Sequence, residues 1–137
     1  MRRSTLILRL LLLATTLFLT LATVHSRAAE LLMFEEKWCH WCEKWNEEIG
    51  GIYDRTSEGK RAPLRRIDVH DAMPDDIDLK TRIQFTPTFV LVEDGKELER
   101  IEGYPGEDFF WALLGQMLEK LPEPQQRADA DMLRTTN

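Results

Sequence analysis

The two cysteines constrain this chain more than any other feature. Cys39 and Cys42 are the only cysteines in 137 residues, and two residues separate them. A disulfide across so short a loop removes little conformational entropy from the unfolded chain, so stabilisation of the fold is a poor reason for it. Thiols at this spacing can instead exchange disulfides, because the second sulfur can reach back and displace a substrate from the first. The pair therefore indicates chemistry at sulfur.

The residues around the cysteines predict a strand followed by a helix. Residues 30–36 have an apolar centre, which is typical of a short strand buried on both faces. After the cysteines, apolar side chains recur at helical spacing, and Gly50 and Gly51 should weaken or bend this helix. Cys39 then lies at the helix start, where the helix dipole stabilises a thiolate. The apolar positions of the predicted helix are Cys42, Trp45, Ile49, Ile52 and Tyr53.

The rest of the chain predicts three more strands and two more helices. The strongest strand pattern is 88–92, and the Asp94-Gly95 pair after it is typical of a hairpin turn. A strand–helix–strand start implies a parallel pair, whereas the hairpin adds antiparallel strands. The predicted fold class is α/β, with a mixed four-stranded sheet flanked by helices. The other elements are strands at 64–69 and 98–101, an acidic loop at 71–78, a short helix at 77–83, and a C-terminal helix with the apolar face Phe109, Phe110, Leu113, Leu114, Met117, Leu118 and Leu121.

The N-terminal residues 1–28 have the organisation of a secretory signal. Arginines precede the stretch 10–24, which carries no charge, and residues 26–28 place small side chains at a cleavage site. The uncharged stretch has 15 residues, fewer than the roughly 20 that span a bilayer. We therefore expect export and cleavage. An uncleaved anchor is the alternative, because residues 6–8 could extend the apolar run past Arg9.

Export would leave one acidic domain. We predict a domain at 29–121 and a flexible tail at 122–137. The chain has 18 basic and 24 acidic residues, and four of its arginines lie in residues 1–28, where there is no acid. The exported part would therefore carry a net charge of about −10. This charge argues against nucleic acid or an anionic lipid surface as a partner and favours solubility.

Within the cysteine motif, Cys39 is the predicted attacking thiol and Cys42 the resolving thiol. A cationic His40 would stabilise the Cys39 thiolate and make the disulfide more oxidising; the alternative is an exposed polar residue without that role. A copper or zinc site is the rival to redox chemistry, with His40 or His70 joining the cysteines. A zinc site usually shows a second pair of ligands, which is missing, so we predict no bound metal. Glu43, not histidine, follows Cys42, which disfavours haem attachment.

Three motifs together resemble the thioredoxin superfamily. They are the WCHWC sequence of residues 38–42, Thr86-Pro87-Thr88 before the strongest strand, and the Asp94-Gly95 hairpin. The resemblance covers about residues 30–121. It implies a cis peptide bond before Pro87. It also implies that Thr86 and Pro87 form a loop that lies beside the cysteines and pairs with the backbone of a substrate.

The stretches 38–45 and 104–111 are similar, more narrowly, to the periplasmic thioredoxin-like proteins of bacterial sulfur-oxidation (Sox) clusters. Those relatives reduce a specific carrier protein. The resemblance thus implies a periplasmic thiol–disulfide oxidoreductase that acts as a reductase on a protein with a reactive cysteine, such as a sulfur carrier. Because the periplasm is oxidising, electrons would come from a membrane thiol-reducing transporter. We expect a monomer with no cofactor beyond the redox-active disulfide.

The aromatic residues divide between a rim and the core. Trp38 and Trp41 flank the cysteines, and we expect them to form an exposed apolar rim for a protein substrate. Four others are expected in the core: Trp45, Phe89, Phe109 and Phe110.

One departure from the thioredoxin pattern concerns proton transfer. Cytosolic thioredoxins carry a buried acid six residues before the first cysteine, and this chain has Met33 there. Glu35 and Glu36 are close by, but strand alternation does not show which of them faces Cys42. His70, at the end of a predicted strand, is expected to be structural.

Overall fold

The sheet has four strands. The computed structural model describes residues 29–122, and its strands lie in the order β2-β1-β3-β4. They are β1 (Glu30–Glu35), β2 (Leu64–Asp68), β3 (Thr88–Glu93) and β4 (Lys96–Glu102). β1 pairs parallel with β2 and antiparallel with β3, and β3 pairs antiparallel with β4. The predicted fold class, a mixed four-stranded sheet with helices, is confirmed.

The central strand β1 is apolar on both faces because both faces of the sheet are covered. Leu31 and Met33 belong to the larger core cluster, which also contains Cys42. Leu32 and Phe34 belong to a second, smaller cluster. All four β1 side chains are fully buried. Alternating side chains of a strand point to opposite faces, so a continuous apolar run fits a strand with a core on each side.

Short helical segments connect β1 to β2. They are α1 (His40–Trp45), a π-helical turn (Asn46–Gly50), a 3-10 turn (Tyr53–Arg55) and α2 (Ser57–Arg61). The helical run that begins at His40 ends at Gly50, so the weakening predicted at Gly50 and Gly51 is confirmed; glycine lowers helix propensity. Ile52 was predicted on the buried stripe and is 41% exposed, because the helical period does not continue to it.

The segment between β2 and β3 contains no helix among the described residues, so the short helix predicted at 77–83 is wrong. The segment is irregular, and Ile77, Leu79 and Ile83 pack against the second core cluster. Asp78 forms an isolated bridge with Lys96 at the start of β4.

A buried ion pair on β4 holds this segment in place. The Arg100 guanidinium donates two hydrogen bonds to the Glu97 carboxylate, each 2.6 Å long. Glu97 also accepts the backbone N–H of Lys80 at 2.8 Å, and Arg100 donates to the Thr81 carbonyl at 3.0 Å. These bonds tie the irregular segment to β4 and satisfy two of its backbone groups.

The hairpin between β3 and β4 has the predicted turn. Asp94 and Gly95 have φ values of 51° and 76°, and positive φ at both central residues is the type I′ geometry that matches the twist of the strands.

The C-terminal helix, α3 (Glu107–Leu118), packs on the larger core cluster. Phe110 and Leu114 are fully buried, as predicted. Phe109 and Leu113 are 69% and 37% exposed, so their assignment to the core face is wrong. Phe109 lies one residue, or about 100° of helix rotation, before Phe110, which turns it away from the sheet. The buried stripe is narrower than the sequence pattern indicated.

Two predicted segments lie outside the described residues. They are the signal at 1–28 and all but the first residue of the tail at 122–137. Within residues 29–122, the structure has no helix with the length and apolarity needed to cross a membrane.

Candidate functional site

The two cysteines form a disulfide at the start of α1. Their sulfurs are 2.10 Å apart and their Cα atoms 5.2 Å apart. Cys39 is the N-cap residue of α1, and its sulfur accepts a hydrogen bond from the backbone N–H of Cys42 at 3.1 Å. Cys42 is only 3% exposed, whereas Cys39 is half-buried. The more accessible sulfur is therefore the one with a backbone donor directed at it.

The tryptophans beside the cysteines are exposed. Trp38 is 91% exposed and Trp41 54%. Trp38 has a φ of 66°, in a region that non-glycine residues rarely adopt and that costs free energy for a bulky side chain. His40 is also exposed, and its ring lies edge-on to Trp41 with the centroids 5.4 Å apart. An exposed aromatic in a strained conformation next to a reactive cysteine is typical of a contact surface for another molecule.

The loop before β3 lies beside the end of β1. The peptide bond between Thr86 and Pro87 is cis, as the family resemblance implied. Phe34 of β1 pairs with Thr88, so the loop at Thr86 and Pro87 lies opposite the residues that lead to Cys39. The Pro87 carbonyl accepts the N–H of Gly103 at 2.7 Å, which ties the loop to the end of β4.

The side chain of Phe85, just before this loop, is 60% exposed. No local pattern indicates this exposure, since an isolated phenylalanine in an irregular segment resembles a core residue.

Acidic side chains share a cleft with the cysteines. The cleft has a volume of about 440 Å³, and Cys39, Cys42 and Trp38 line it together with Glu35 and Glu36. A larger cleft of about 670 Å³ lies against Phe34 and Ile67 of the second core cluster and contains neither cysteine. The smaller cleft is therefore the one that relates to chemistry at sulfur.

Glu35 lies on the same face of β1 as the buried Met33, two residues further along. Its carboxylate accepts a hydrogen bond from Arg66 at 2.7 Å, and Arg66 also donates to the Asn46 side chain at 2.5 Å. The Arg66 guanidinium lies 5.5 Å from the centre of the Trp45 ring. Glu35 is thus an acid on the Met33 face of β1 that is held by Arg66 and lines the cysteine cleft.

Glu36 faces the loop instead. One carboxylate oxygen accepts a hydrogen bond from the Thr86 hydroxyl at 2.6 Å, and the other lies 3.3 Å from Nε2 of His70. His70 is therefore linked to this loop network, although its side chain is 75% exposed. Sequence spacing could not indicate the contact, since Glu36 and Thr86 are 50 residues apart.

A second network fixes α1 from the other side. The Tyr104 hydroxyl donates to Glu48 at 2.6 Å, and Lys44 forms an ion pair with the same carboxylate at 2.8 Å. Hydrogen bonds from Lys44 and Tyr104 hold the pKa of Glu48 below its usual value. Burial, followed by the contact with Glu48, raises the pKa of Tyr104. Tyr104 follows Gly103, so this network joins α1 to the segment that holds Pro87.

For metal binding, residues 29–122 contain no group of three or more His, Cys, Asp and Glu side chains arranged to hold an ion. His70, one of the two histidines considered as a ligand, contacts Glu36.

The fold and the cysteine motif match those of known proteins. A family model for a thioredoxin-like domain matches residues 20–118. The chain belongs to the thioredoxin-like family. With a disulfide between Cys39 and Cys42, it is a thiol–disulfide oxidoreductase of the kind that acts on protein thiols.

Solved structures of thioredoxins agree with this assignment. The reduced periplasmic thioredoxin SoxS from Paracoccus pantotrophus is 44% identical; the match covers 66% of this chain and 96% of SoxS, with a TM-score of 0.65. A thioredoxin-fold protein from Helicobacter pylori shares the fold at 16% identity, with 76% and 80% covered and a TM-score of 0.53. The Drosophila melanogaster thioredoxin Deadhead does so at 17% identity, with 66% and 81% covered and a TM-score of 0.51. No curated protein sequence matches the chain significantly.

Proposed function

We propose that this thioredoxin-like protein is a periplasmic reductase of a protein disulfide, with Cys39 as the attacking thiol and Cys42 as the resolving thiol. The observation that carries the proposal is the asymmetry of the pair. Cys39 is half-buried at the start of α1 and accepts the N–H of Cys42, whereas Cys42 is 3% exposed. Only the more accessible sulfur can meet a sulfur of another protein.

In the first step, the Cys39 thiolate attacks one sulfur of the substrate disulfide. A bond forms between Cys39 and that sulfur, the substrate disulfide breaks, and the other substrate sulfur leaves as a thiolate that takes up a proton. The N–H of Cys42, 3.1 Å from the Cys39 sulfur in the disulfide, would donate a stronger hydrogen bond to a thiolate. This donor favours the reactive form of Cys39.

In the second step, Cys42 loses its proton and attacks Cys39. The mixed disulfide breaks, the substrate leaves as a thiol, and two electrons have passed from the protein to the substrate. We propose that Glu35 accepts the proton of Cys42, directly or through water, because both line the same cleft and Arg66 fixes the carboxylate at 2.7 Å.

The exposed surface around Cys39 suits a protein as the substrate. Trp38, Trp41 and Phe85 are all more than half exposed, and such large apolar side chains gain free energy when a partner covers them. The loop at Thr86 and Pro87 precedes β3 and would add strand-like pairing with an extended substrate segment. His40, exposed beside Trp41, would tune the redox potential of the pair.

The similarity to SoxS, a periplasmic thioredoxin, supports the location and suggests the substrate. In an oxidising periplasm, a reductase needs electrons from a membrane thiol-reducing transporter. The proposed substrate is a carrier protein of sulfur oxidation whose reactive cysteine has become oxidised or blocked, and the proposed reductase is a monomer.

The test is to trap the mixed disulfide with Cys42→Ser in the native periplasm, followed by acid quenching and identification of the adducts. Without a resolving thiol, one dominant adduct on a protein cysteine should accumulate through Cys39. The matched variant Cys39→Ser should give none, and Glu35→Gln should leave the adduct longer-lived than in the wild type. Absence of any adduct, with metal copurifying instead, would replace the reductase by a metal-binding protein.

A further inference from the structure

We propose that Glu36 is a positioning residue that holds the Thr86-Pro87 loop at the correct distance from Cys39 for a peptide substrate. The proposal rests on the function proposed above, because it requires that the substrate backbone pair with this loop. It adds a residue whose role lies in substrate geometry and not in the chemistry of either sulfur.

Glu36 connects the two parts of the site through its own backbone and side chain. It follows β1 directly, and its carbonyl accepts the N–H of Cys39 at 3.4 Å. Its carboxylate accepts the Thr86 hydroxyl at 2.6 Å. A single residue therefore contacts both the attacking cysteine and the residue that precedes the cis-proline.

Apart from the strand pairing of Thr88 with Phe34, the other hydrogen bonds of the loop lead elsewhere. The Pro87 carbonyl is bonded to Gly103 at 2.7 Å, and the Thr88 hydroxyl donates to the Phe85 carbonyl at 2.8 Å. These bonds fix the loop to the end of β4 and to itself. The bond between Glu36 and Thr86 fixes the loop to the segment that carries Cys39.

The hydrogen bond between Glu36 and Thr86 is chemically suited to holding the loop in place. Hydrogen bonds from a hydroxyl to a carboxylate are short and about twice as strong as bonds between neutral groups. His70 lies 3.3 Å from the other carboxylate oxygen, but with a side chain 75% exposed it adds little. A glutamine at position 36 would still accept the Thr86 hydroxyl, whereas an alanine would not.

Geometry of this kind matters because disulfide exchange requires three sulfurs in line. A displacement of about 1 Å in a reacting group can cost on the order of a hundredfold in rate. A small disulfide can rotate freely to meet Cys39, but a peptide that is paired with the loop cannot. Loss of the hydrogen bond between Glu36 and Thr86 should therefore slow the reaction with peptide substrates and not the reaction with small disulfides.

The experiment compares two substrates of the full chain. One is an extended synthetic peptide with a single cysteine blocked as a mixed disulfide with glutathione; the other is oxidised glutathione. Glu36→Ala should lower kcat/KM for the peptide about tenfold, mainly through kcat, and leave the rate with oxidised glutathione and the redox potential unchanged. Glu36→Gln should stay close to the wild type.

Two further variants separate positioning from a general structural role. Thr86→Val should match Glu36→Ala, and the double variant should be no worse than either single one, because both remove the same hydrogen bond. Glu47→Ala removes an exposed acid that does not line the cysteine cleft and should have no effect.

The outcomes distinguish the two proposals. If the wild type reduces the peptide, two results for Glu36→Ala would overturn the role of Glu36 alone. One is an equal loss of activity with both substrates, and the other is no loss of activity with the peptide. A wild type that reduces oxidised glutathione but not the peptide would overturn the protein-substrate function, and the role of Glu36 with it.

Discussion

The two edges of the sheet carry ion pairs of different character. At the β4 edge, the side chains of Arg100 and Glu97 are 12% and 2% exposed. At the β2 edge, Arg66 is 39% exposed, and its partner Glu35, on the neighbouring strand β1, is 24% exposed. Removing one partner of a buried pair leaves a charge away from water, whereas an exposed partner is solvated. The β4 pair should therefore govern stability, and the pair at the β2 edge, whose Glu35 lines the cysteine cleft, should govern chemistry.

The largest expected effect is on the β4 edge. Arg100→Ala should lower the free energy of unfolding by about 3–5 kcal/mol, because the Glu97 carboxylate would stay buried without its charged partner and with only the Lys80 N–H as donor. Arg66→Ala is the matched control and should cost about 1 kcal/mol or less. Urea denaturation followed by circular dichroism measures both. Equal losses would show that the two edges do not differ as their burial indicates.

Low pH should reduce the stability difference between Arg100→Ala and the wild type. Burial would raise the pKa of Glu97, but hydrogen bonds from Arg100 and the Lys80 N–H hold it below its usual value. Such a carboxylate stabilises the fold above its unfolded pKa of about 4.3, and this contribution is lost as pH falls through the lower folded pKa. In Arg100→Ala the Lys80 N–H remains but the guanidinium is lost, so the pKa of Glu97 lies higher than in the wild type and protonation relieves the variant. The stability gap between variant and wild type should shrink as pH falls below about 5.

Local signals made most of the fold and the centre of the site predictable. The strands at 30–36 and 88–92 are continuous apolar runs, and the Asp94-Gly95 turn needs only its two residues. The spacing of Cys39 and Cys42 alone predicts that their sulfurs lie close together, and they form a disulfide. In each case the signal lies in residues that are neighbours in sequence, so a local window contains it.

The features that were predicted wrongly or missed involve residues that are far apart in sequence. The apolar residues of 77–83 fit a helix or an irregular segment, and in the structure this segment is bonded to Glu97 and Arg100 through Lys80 and Thr81. The contact between Glu36 and Thr86 likewise spans 50 residues. Nothing within a local window distinguishes these cases.

Two glycine substitutions, one before the edge strand β2 and one in α3, should have smaller effects on stability. Gly59, in α2 before the edge strand β2, has the Tyr53 carbonyl oxygen 2.1 Å from the position of a Cβ, so the backbone must shift to admit a side chain. Gly59→Ala should cost about 1–3 kcal/mol. Gly115, in α3, has no heavy atom within 4 Å of that position. Gly115→Ala should therefore gain up to about 1 kcal/mol through helix propensity. Thermal unfolding of both variants tests the pair, and a destabilised Gly115→Ala would contradict it.

The smallest expected effect concerns the cysteine site and should leave stability unchanged. His40 is exposed between the two cysteines and contacts Trp41 edge-on, so its removal breaks no buried contact. If its positive charge stabilises the Cys39 thiolate, His40→Ala destabilises the reduced form and makes the couple more reducing. A tenfold change in the equilibrium is about 30 mV for two electrons, and we expect a shift of this size or less. Titration against a glutathione buffer measures it, with His70→Ala as the control, since His70 contacts Glu36 and not the cysteines. An unchanged potential would leave the N–H of Cys42 as the group that favours the thiolate.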